Sequence, residues 1–181
     1  INTATGALGE HTGGNVPHPS MRGIDNMRID IWSDIVCPFC YVGKRNLEQA
    51  LAEFEHRDEV EVVWHSFELD PSATEHPAGS LPEMIAGKYQ MPLEQAIASQ
   101  ESLAERAREV GLDFNWRQAR YGNTFDAHRV IHYAAEQGLA SAAQEAFKLA
   151  YFTQGRSVQD HESILDIASE IGLDTAEVEA V

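Results

Sequence analysis

The hydrophobic and polar positions of the first third of the chain predict a strand, a helix and a second strand. Residues 28–33 alternate between polar and apolar side chains, which is typical of a β-strand with one buried face. From Pro38 to about Phe54 the apolar positions recur at helical spacing instead. Residues 60–67 are mostly β-branched and aromatic, as in a second strand. Two strands joined by a helix run parallel, so the pattern predicts a βαβ unit over residues 27–71.

Beyond this unit the pattern predicts helices. Residues that start or stop helices divide the rest of the chain into successive helical segments. The expected starts are Ser80, Pro92, Asn123, Leu139, Asp160 and Asp174. About a hundred residues of helix after one βαβ unit predict an α/β protein in which residues 72–181 form an all-helical insertion domain.

Residues 1–26 are rich in Gly, Asn, Thr, His and Pro and show no periodicity. Such a composition does not build a packed core, so we expect a flexible leader outside the fold. Met21 or Met27 could be the natural start of the chain.

Composition and charge narrow the classes of function. The chain has 181 residues, 43% of them hydrophobic, which suits one domain with a real core. It carries 29 acidic and 13 basic residues, for a formal net charge of −16, so we expect no nucleic-acid partner and no anionic membrane partner. No apolar run approaches the about 18 residues that a membrane span needs, and no signal-peptide pattern is visible. We therefore expect a cytoplasmic protein.

The candidate chemistry lies at Cys37 and Cys40, the only two cysteines of the chain. They are three positions apart between the first predicted strand and the first predicted helix, and Pro38 suits the first helical turn. A helix N-terminus carries unpaired N–H groups and a partial positive charge, which favour a thiolate over a thiol. A CxxC motif near a βαβ unit is typical of dithiol redox chemistry. We predict Cys37 as the nucleophile and Cys40 as the resolving thiol.

Three other roles for the cysteine pair are less expected. A zinc site needs four ligands, and His11 and His18 could join it only through the predicted leader. The cysteines could be ordinary core thiols. They could also form a structural disulfide, although one that closes so short a loop would add little stability. We expect redox chemistry, with no metal and no organic cofactor.

Residues around the motif are candidate supporting residues. Asp34 lies three positions before Cys37, where a carboxylate would raise the thiol pKa or relay a proton for Cys40, although a loop-capping aspartate is the simpler expectation. Phe39 offers an apolar rim for a substrate. Since Pro38 and Phe39 place no imidazole between the cysteines, we expect Cys37 to be less acidic than in a strong oxidant with histidine there.

Four segments of the chain resemble the DsbA family of thioredoxin-fold proteins, particularly its FrnE-like branch. They are SDIVCPFCYVG at 33–43, WHSFELDP at 64–71, NTFDAHR at 123–129 and AYF at 150–152. The resemblance covers about residues 27 to 181. It implies a thioredoxin fold interrupted by a helical domain that roofs the active site, and dithiol–disulfide oxidoreductase or isomerase activity at Cys37 and Cys40.

The resemblance also implies that the segment from Asn123 to Arg129 faces the cleft under the helical roof. Asn123 and His128 are then candidate cleft residues, and His128 could tune the thiolate or hold a substrate. A hydrogen-bonded structural histidine is the more expected role, and Asn123 with Thr124 is most simply a helix N-cap pair.

The chain departs from the family pattern after the helical segments. Family members carry a cis-proline loop, two more strands and a final helix there, whereas no proline follows Pro92 here. We expect a truncated or partial chain that lacks the second half of the thioredoxin sheet. Its open strand edge would invite a homodimer by strand exchange, and peptide binding beside the motif would be impaired.

The expected partner is a disulfide-containing protein or a small thiol or disulfide, with glutathione as an open co-substrate. Two other functions remain as alternatives. The same fold hosts glutathione-dependent isomerases and transferases, which typically carry serine in place of the first cysteine. A non-catalytic binding or chaperone-like module would use the apolar cleft, and unlike the enzyme it would tolerate Cys37→Ser.

Overall fold

The structure, a computed structural model, describes residues 27–74 and 79–181. The predicted leader, residues 1–26, lies outside the described residues. The strands and helices are β1 Met27–Ser33, α1 Pro38–Glu53, β2 Val60–Ser66, α2 Leu81–Tyr89, α3 Leu93–Glu109, α4 Phe125–Glu136, α5 Ala140–Phe152, α6 His161–Glu170 and α7 Thr175–Ala180. Within the described ranges, none of the helices has both the length and the apolar character that crossing a membrane requires.

β1 and β2 pair in parallel, as the strand–helix–strand pattern predicts. Their register runs from Met27 opposite Val60 to Ser33 opposite Ser66. The Phe67 N–H continues the ladder by donating to the Ser33 carbonyl over 3.2 Å. Since α1 follows β1 directly, the loop between them lies at the carboxyl end of the strand. The predicted α/β fold with a helical insertion is confirmed.

Local capping signals set the helix starts. Ser80 occupies the N-cap of α2, and its backbone N–H donates to Glu83 Oε2 over 2.7 Å, as the capping-box spacing predicts. The prediction for α4 is one residue off, because its N-cap is Thr124. Asn123 instead makes an Asx turn just before the helix, in which its Oδ1 accepts the Phe125 N–H over 2.8 Å.

The buried core lies mainly among the helices. Both strands are only partly buried, and Trp32 of β1 is largely exposed. α1 joins the core through Tyr41, which is fully buried. The ring of Tyr41 packs against Phe114 and Phe152, with centroids 5.9 Å and 5.7 Å apart. The helix that begins at the CxxC motif is therefore anchored in the helical part of the molecule.

A polar cluster reinforces the contact between α1 and α5. Glu145 of α5 accepts hydrogen bonds from the Tyr41 hydroxyl over 2.7 Å, from Lys44 over 2.7 Å and from Arg45 over 2.6 Å. Burial opposes ionisation of Glu145, but the bonds from Lys44 and Tyr41 outweigh it and lower the pKa. These bonds fix the first turns of α1 against α5.

Candidate active site

Cys37 is the N-cap of α1, and Cys40 lies one turn further along the helix. The Cys37 Sγ accepts the Cys40 backbone N–H over 3.3 Å, so the sulfur itself caps the helix. Pro38 is the first helical residue, where its missing N–H leaves no bond unmade. Both cysteines are free thiols and half-buried, and Phe39 between them is 66% exposed. The two sulfurs therefore lie at a helix N-terminus, partly open to solvent.

The two thiols are close enough to share one proton. The pKa of Cys40 is lowered to about 5, chiefly because the Cys37 thiol donates a hydrogen bond to its sulfur, while burial works against the shift. The pKa of Cys37 is raised, chiefly by the same hydrogen bond and then by burial. In this arrangement the negative charge lies on Cys40, whereas the sequence predicts it on Cys37. Because one S–H···S bond joins the sulfurs, we assign the acidic thiol to the pair as a unit.

Three further groups favour a thiolate at Cys40. They are a backbone hydrogen bond from Asp34, a side-chain hydrogen bond from Ser33 and the charge of Lys148. Lys148 of α5 is fully buried, and its Nζ donates to Ser33 Oγ over 3.0 Å and to the Asp34 carbonyl over 2.7 Å. Burial lowers the pKa of Lys148 to about 8, and the attraction of Cys40 and Cys37 opposes that shift. A cation from the helical region thus acts on the dithiol.

Asp34 is 2% exposed and joins three segments of the chain. Its carboxylate accepts the Leu69 N–H over 2.7 Å, the Thr124 hydroxyl over 3.0 Å and His128 Nε2–H over 3.2 Å. Burial opposes its ionisation, but the bonds from His128 and Leu69 leave the pKa lowered. This geometry fits the loop-capping role. It does not fit a proton relay to Cys40, because the ionised carboxylate is already turned toward these donors.

The proposed cleft residues Asn123 and His128 are occupied elsewhere. His128 is 3% exposed and faces Asp34, while its Nδ1 has no hydrogen-bond partner among the residues that the structure describes. Asn123 uses its side chain in the turn before α4. His128 therefore sits as a buried structural histidine and not on an open cleft. Two cavities, one beside α2 and α3 and one beside α4, α6 and α7, are lined by neither cysteine.

Sequence reasoning missed Ser33, Thr124 and Lys148 as members of this site. The sequence identifies Thr124 only as part of a helix cap, and Ser33 only as the end of a strand. Lys148 had a positional signal, because it lies four residues after Gln144 and three before Tyr151 on one face of α5. All three of these α5 residues are buried. Over residues 27–74 and 79–181, no group of three or more His, Cys, Asp or Glu side chains could hold a metal ion.

Known proteins are similar to this chain in sequence or in structure. Residues 28–181 match the family model described as a DSBA-like thioredoxin domain. The crystal structure of a probable DsbA oxidoreductase from Streptomyces coelicolor is 46% identical with a TM-score of 0.81, over 85% of this chain and 66% of that one. The uncharacterized protein YwbO of Bacillus subtilis is 29% identical over 83% of this chain and 68% of its own length.

A more distant structure shares the fold. The cytosolic disulfide reductase DsbM from Pseudomonas aeruginosa, solved with GSH, is 19% identical with a TM-score of 0.55, over 84% of this chain and 69% of that one. The chain therefore spans about two thirds of the length of each of the three proteins, from 66% to 69%.

Proposed function

The chain belongs to the family of DSBA-like thioredoxin domains, and from this premise we propose that it is a dithiol–disulfide oxidoreductase. Cys37 and Cys40 are its redox pair. The observation that carries the proposal is the pair of free thiols at the N-terminus of α1, one of them acidic and acted on by the charge of Lys148. Thiolate character and partial exposure are what thiol–disulfide exchange requires.

In the reducing direction, the proton of the pair moves to Cys40 and leaves Cys37 as the thiolate. Cys37 Sγ attacks one sulfur of a substrate disulfide, so that a mixed disulfide forms and the other substrate sulfur leaves as a thiolate. That thiolate takes the Cys40 proton. Cys40 then attacks Cys37 Sγ, closes the Cys37–Cys40 disulfide and releases the second substrate sulfur as a thiolate. The substrate gains two electrons and the pair loses two, and the reverse reaction donates a disulfide.

The substrate class is a disulfide-containing protein or a small disulfide such as oxidised glutathione. Exposed apolar side chains in the CxxC motif and just after β2 support a substrate with an apolar segment. Phe39, Phe67 and Leu69 are each about half exposed or more. The reaction needs no metal or organic cofactor. We place it in the cytoplasm, since a two-cysteine exchanging pair does not depend on an oxidising compartment.

Equilibration of the protein in glutathione redox buffers, followed by alkylation and intact-mass measurement, tests the proposal. We expect a reversible two-electron transition between about −270 and −120 mV. Thiols that do not exchange, or a disulfide that survives below about −300 mV, contradict it.

The two single serine variants separate the roles of the cysteines. Cys40→Ser should trap the mixed disulfide with oxidised glutathione as a mass adduct on Cys37. Cys37→Ser should abolish turnover of a protein disulfide such as insulin. If the parent chain does not turn over a protein disulfide, and Cys37→Ser binds an apolar segment as well as the parent chain does, the chain is instead a binding module that does not use its thiols.

A further inference from the structure

Lys148 is a fully buried cation to which the exchange steps above assign no role. Its Nζ donates to Ser33 Oγ over 3.0 Å and to the Asp34 carbonyl over 2.7 Å. Both acceptors lie just before the CxxC motif, whereas Lys148 comes from α5, 115 residues after Ser33. A buried ammonium is costly unless an opposite charge compensates it, so the source of that charge matters.

The carboxylates near Lys148 are committed to other partners. The Asp34 carboxylate accepts its bonds from Leu69, Thr124 and His128, and Lys148 binds only the backbone carbonyl of that residue. Glu145 of the same helix binds Lys44, Arg45 and Tyr41. Neither carboxylate makes a salt bridge to Lys148 within the part of the chain that the structure describes.

The dithiol is a further source of negative charge near Lys148, besides Asp34. The groups that act on the charge of Lys148 are Cys40 and Cys37 of the motif and Asp34 of the preceding loop, with Lys44 of α1 acting in the opposite direction. The attraction that Cys40 and Cys37 exert on the Lys148 charge is larger than that of Asp34. The Asp34 carbonyl links the two sites, because it accepts the Lys148 ammonium over 2.7 Å and the Cys37 backbone N–H over 3.4 Å.

We propose that Lys148 is a positioning residue of the redox pair, whose ammonium, held at the Asp34 carbonyl beside the motif, serves as the buried counter-charge of the thiolate. This inference rests on the proposed dithiol function and deepens it. The thiolate exists only in the reduced protein, so the cation stabilises the reduced form over the disulfide. A residue of the helical region thereby helps to set how oxidising the motif is.

Lys148→Met tests the inference, because methionine keeps an unbranched side chain and removes the charge. The ultraviolet absorbance of the thiolate, followed against pH in the reduced protein, should show the acidic transition moved upward by about one pH unit. Without the cation, the glutathione equilibrium should shift about tenfold toward the disulfide, which corresponds to a potential more negative by about 30 mV.

Two further variants keep the test decisive. Lys148→Gln is a second neutral variant that can still donate to the Asp34 carbonyl, so it should shift the transition in the same direction. Lys44→Met is the matched control, because Lys44 is also a buried lysine but pairs with Glu48 and Glu145. It should lower stability and leave the thiol transition in place.

The inference is overturned if the pH of the thiol transition is unchanged in folded Lys148→Met and Lys148→Gln. An equal shift in Lys44→Met overturns it as well. The absorbance titration needs no turnover, so the two proposals fail separately. If the thiol transition shifts in the Lys148 variants but the thiols never exchange with glutathione, the oxidoreductase proposal is refuted and the charge pairing stands. If the thiols exchange but their transition is the same in the Lys148 variants, only the charge pairing is refuted.

Discussion

Replacing Asp34 with alanine removes the acceptor that holds the CxxC loop against two distant segments. The Leu69 N–H, the Thr124 hydroxyl and His128 Nε2 then lose their partner together. Thr124 and His128 are buried, so water does not readily replace the carboxylate there. The Leu69 side chain is about half exposed, so its N–H is the donor that water can reach most easily.

The expected loss of stability follows from these stranded donors. A buried donor without an acceptor costs about 1–3 kcal/mol, and more where the lost acceptor is charged. Counting two buried donors in full, we expect the free energy of unfolding to fall by about 3–4 kcal/mol. With a urea dependence of about 2 kcal/mol per molar, the unfolding midpoint falls by about 1.5–2 M urea. Asp34→Asn, which retains one acceptor oxygen, should lose about 1–2 kcal/mol.

Urea unfolding with the cysteines kept reduced measures both variants. Asp126→Ala is the control, because Asp126 is an exposed aspartate whose bond to Arg129 lies on the surface, and its midpoint should not change measurably. The role of Asp34 as the shared acceptor of these three bonds is refuted if Asp34→Ala lowers the unfolding midpoint no more than Asp126→Ala does.

The pH dependence of stability gives a second test of the Asp34 carboxylate. The pKa of Asp34 is lowered in the folded protein, so its contribution is complete above the unfolded value of about 3.9 and is lost as the pH falls through the folded value. The difference in stability between the parent chain and Asp34→Asn should therefore be constant from about pH 7 to about pH 5 and shrink below about pH 4. A difference that grows on acidification contradicts an ionised Asp34.

Four further substitutions test the packing by thermal unfolding. Phe147→Ala should cost about 3–5 kcal/mol because the ring is fully buried, whereas Leu149→Ala on the partly exposed side of α5 should cost far less. Gly155→Ala should destabilise by more than about 1 kcal/mol, since φ is +64° and the new Cβ would lie 2.7 Å from Gln118 Cβ. Gly43→Ala, in α1 with open space around it, should instead stabilise by about 0.5–1 kcal/mol.

The elements could be predicted from the sequence because their signals are local. Alternation in residues 28–33 and the β-branched run after Val60 place both strands to within one residue. Ser80 and Asp174 are read correctly as helix caps, since a cap is decided by residues two or three positions away. Asn123 is misplaced by one residue, because Asn and Thr are both good caps and only the backbone path selects Thr124.

The site could be predicted only in part because its partners are remote in sequence. The motif itself identifies Cys37 and Cys40, but Asp34 is bonded to residues 35, 90 and 94 positions away. Lys148 is missed for a different reason. A lysine on an amphipathic helix is normally solvent-facing, and this expectation outweighs the helical spacing that places Lys148 on the same face as Gln144 and Tyr151.

The separation between Ser33 and Lys148 also sets the order in which groups reach the thiols during synthesis. At a synthesis rate of about 5–20 residues per second, the 115 residues between them emerge over the order of ten seconds. During that interval the nascent motif can make its local Cys37–Cys40 contact but lacks the cation of Lys148. The long-range contacts form last, because chain closure must precede them. The contribution of Lys148 to the dithiol is therefore added only after the motif itself has formed.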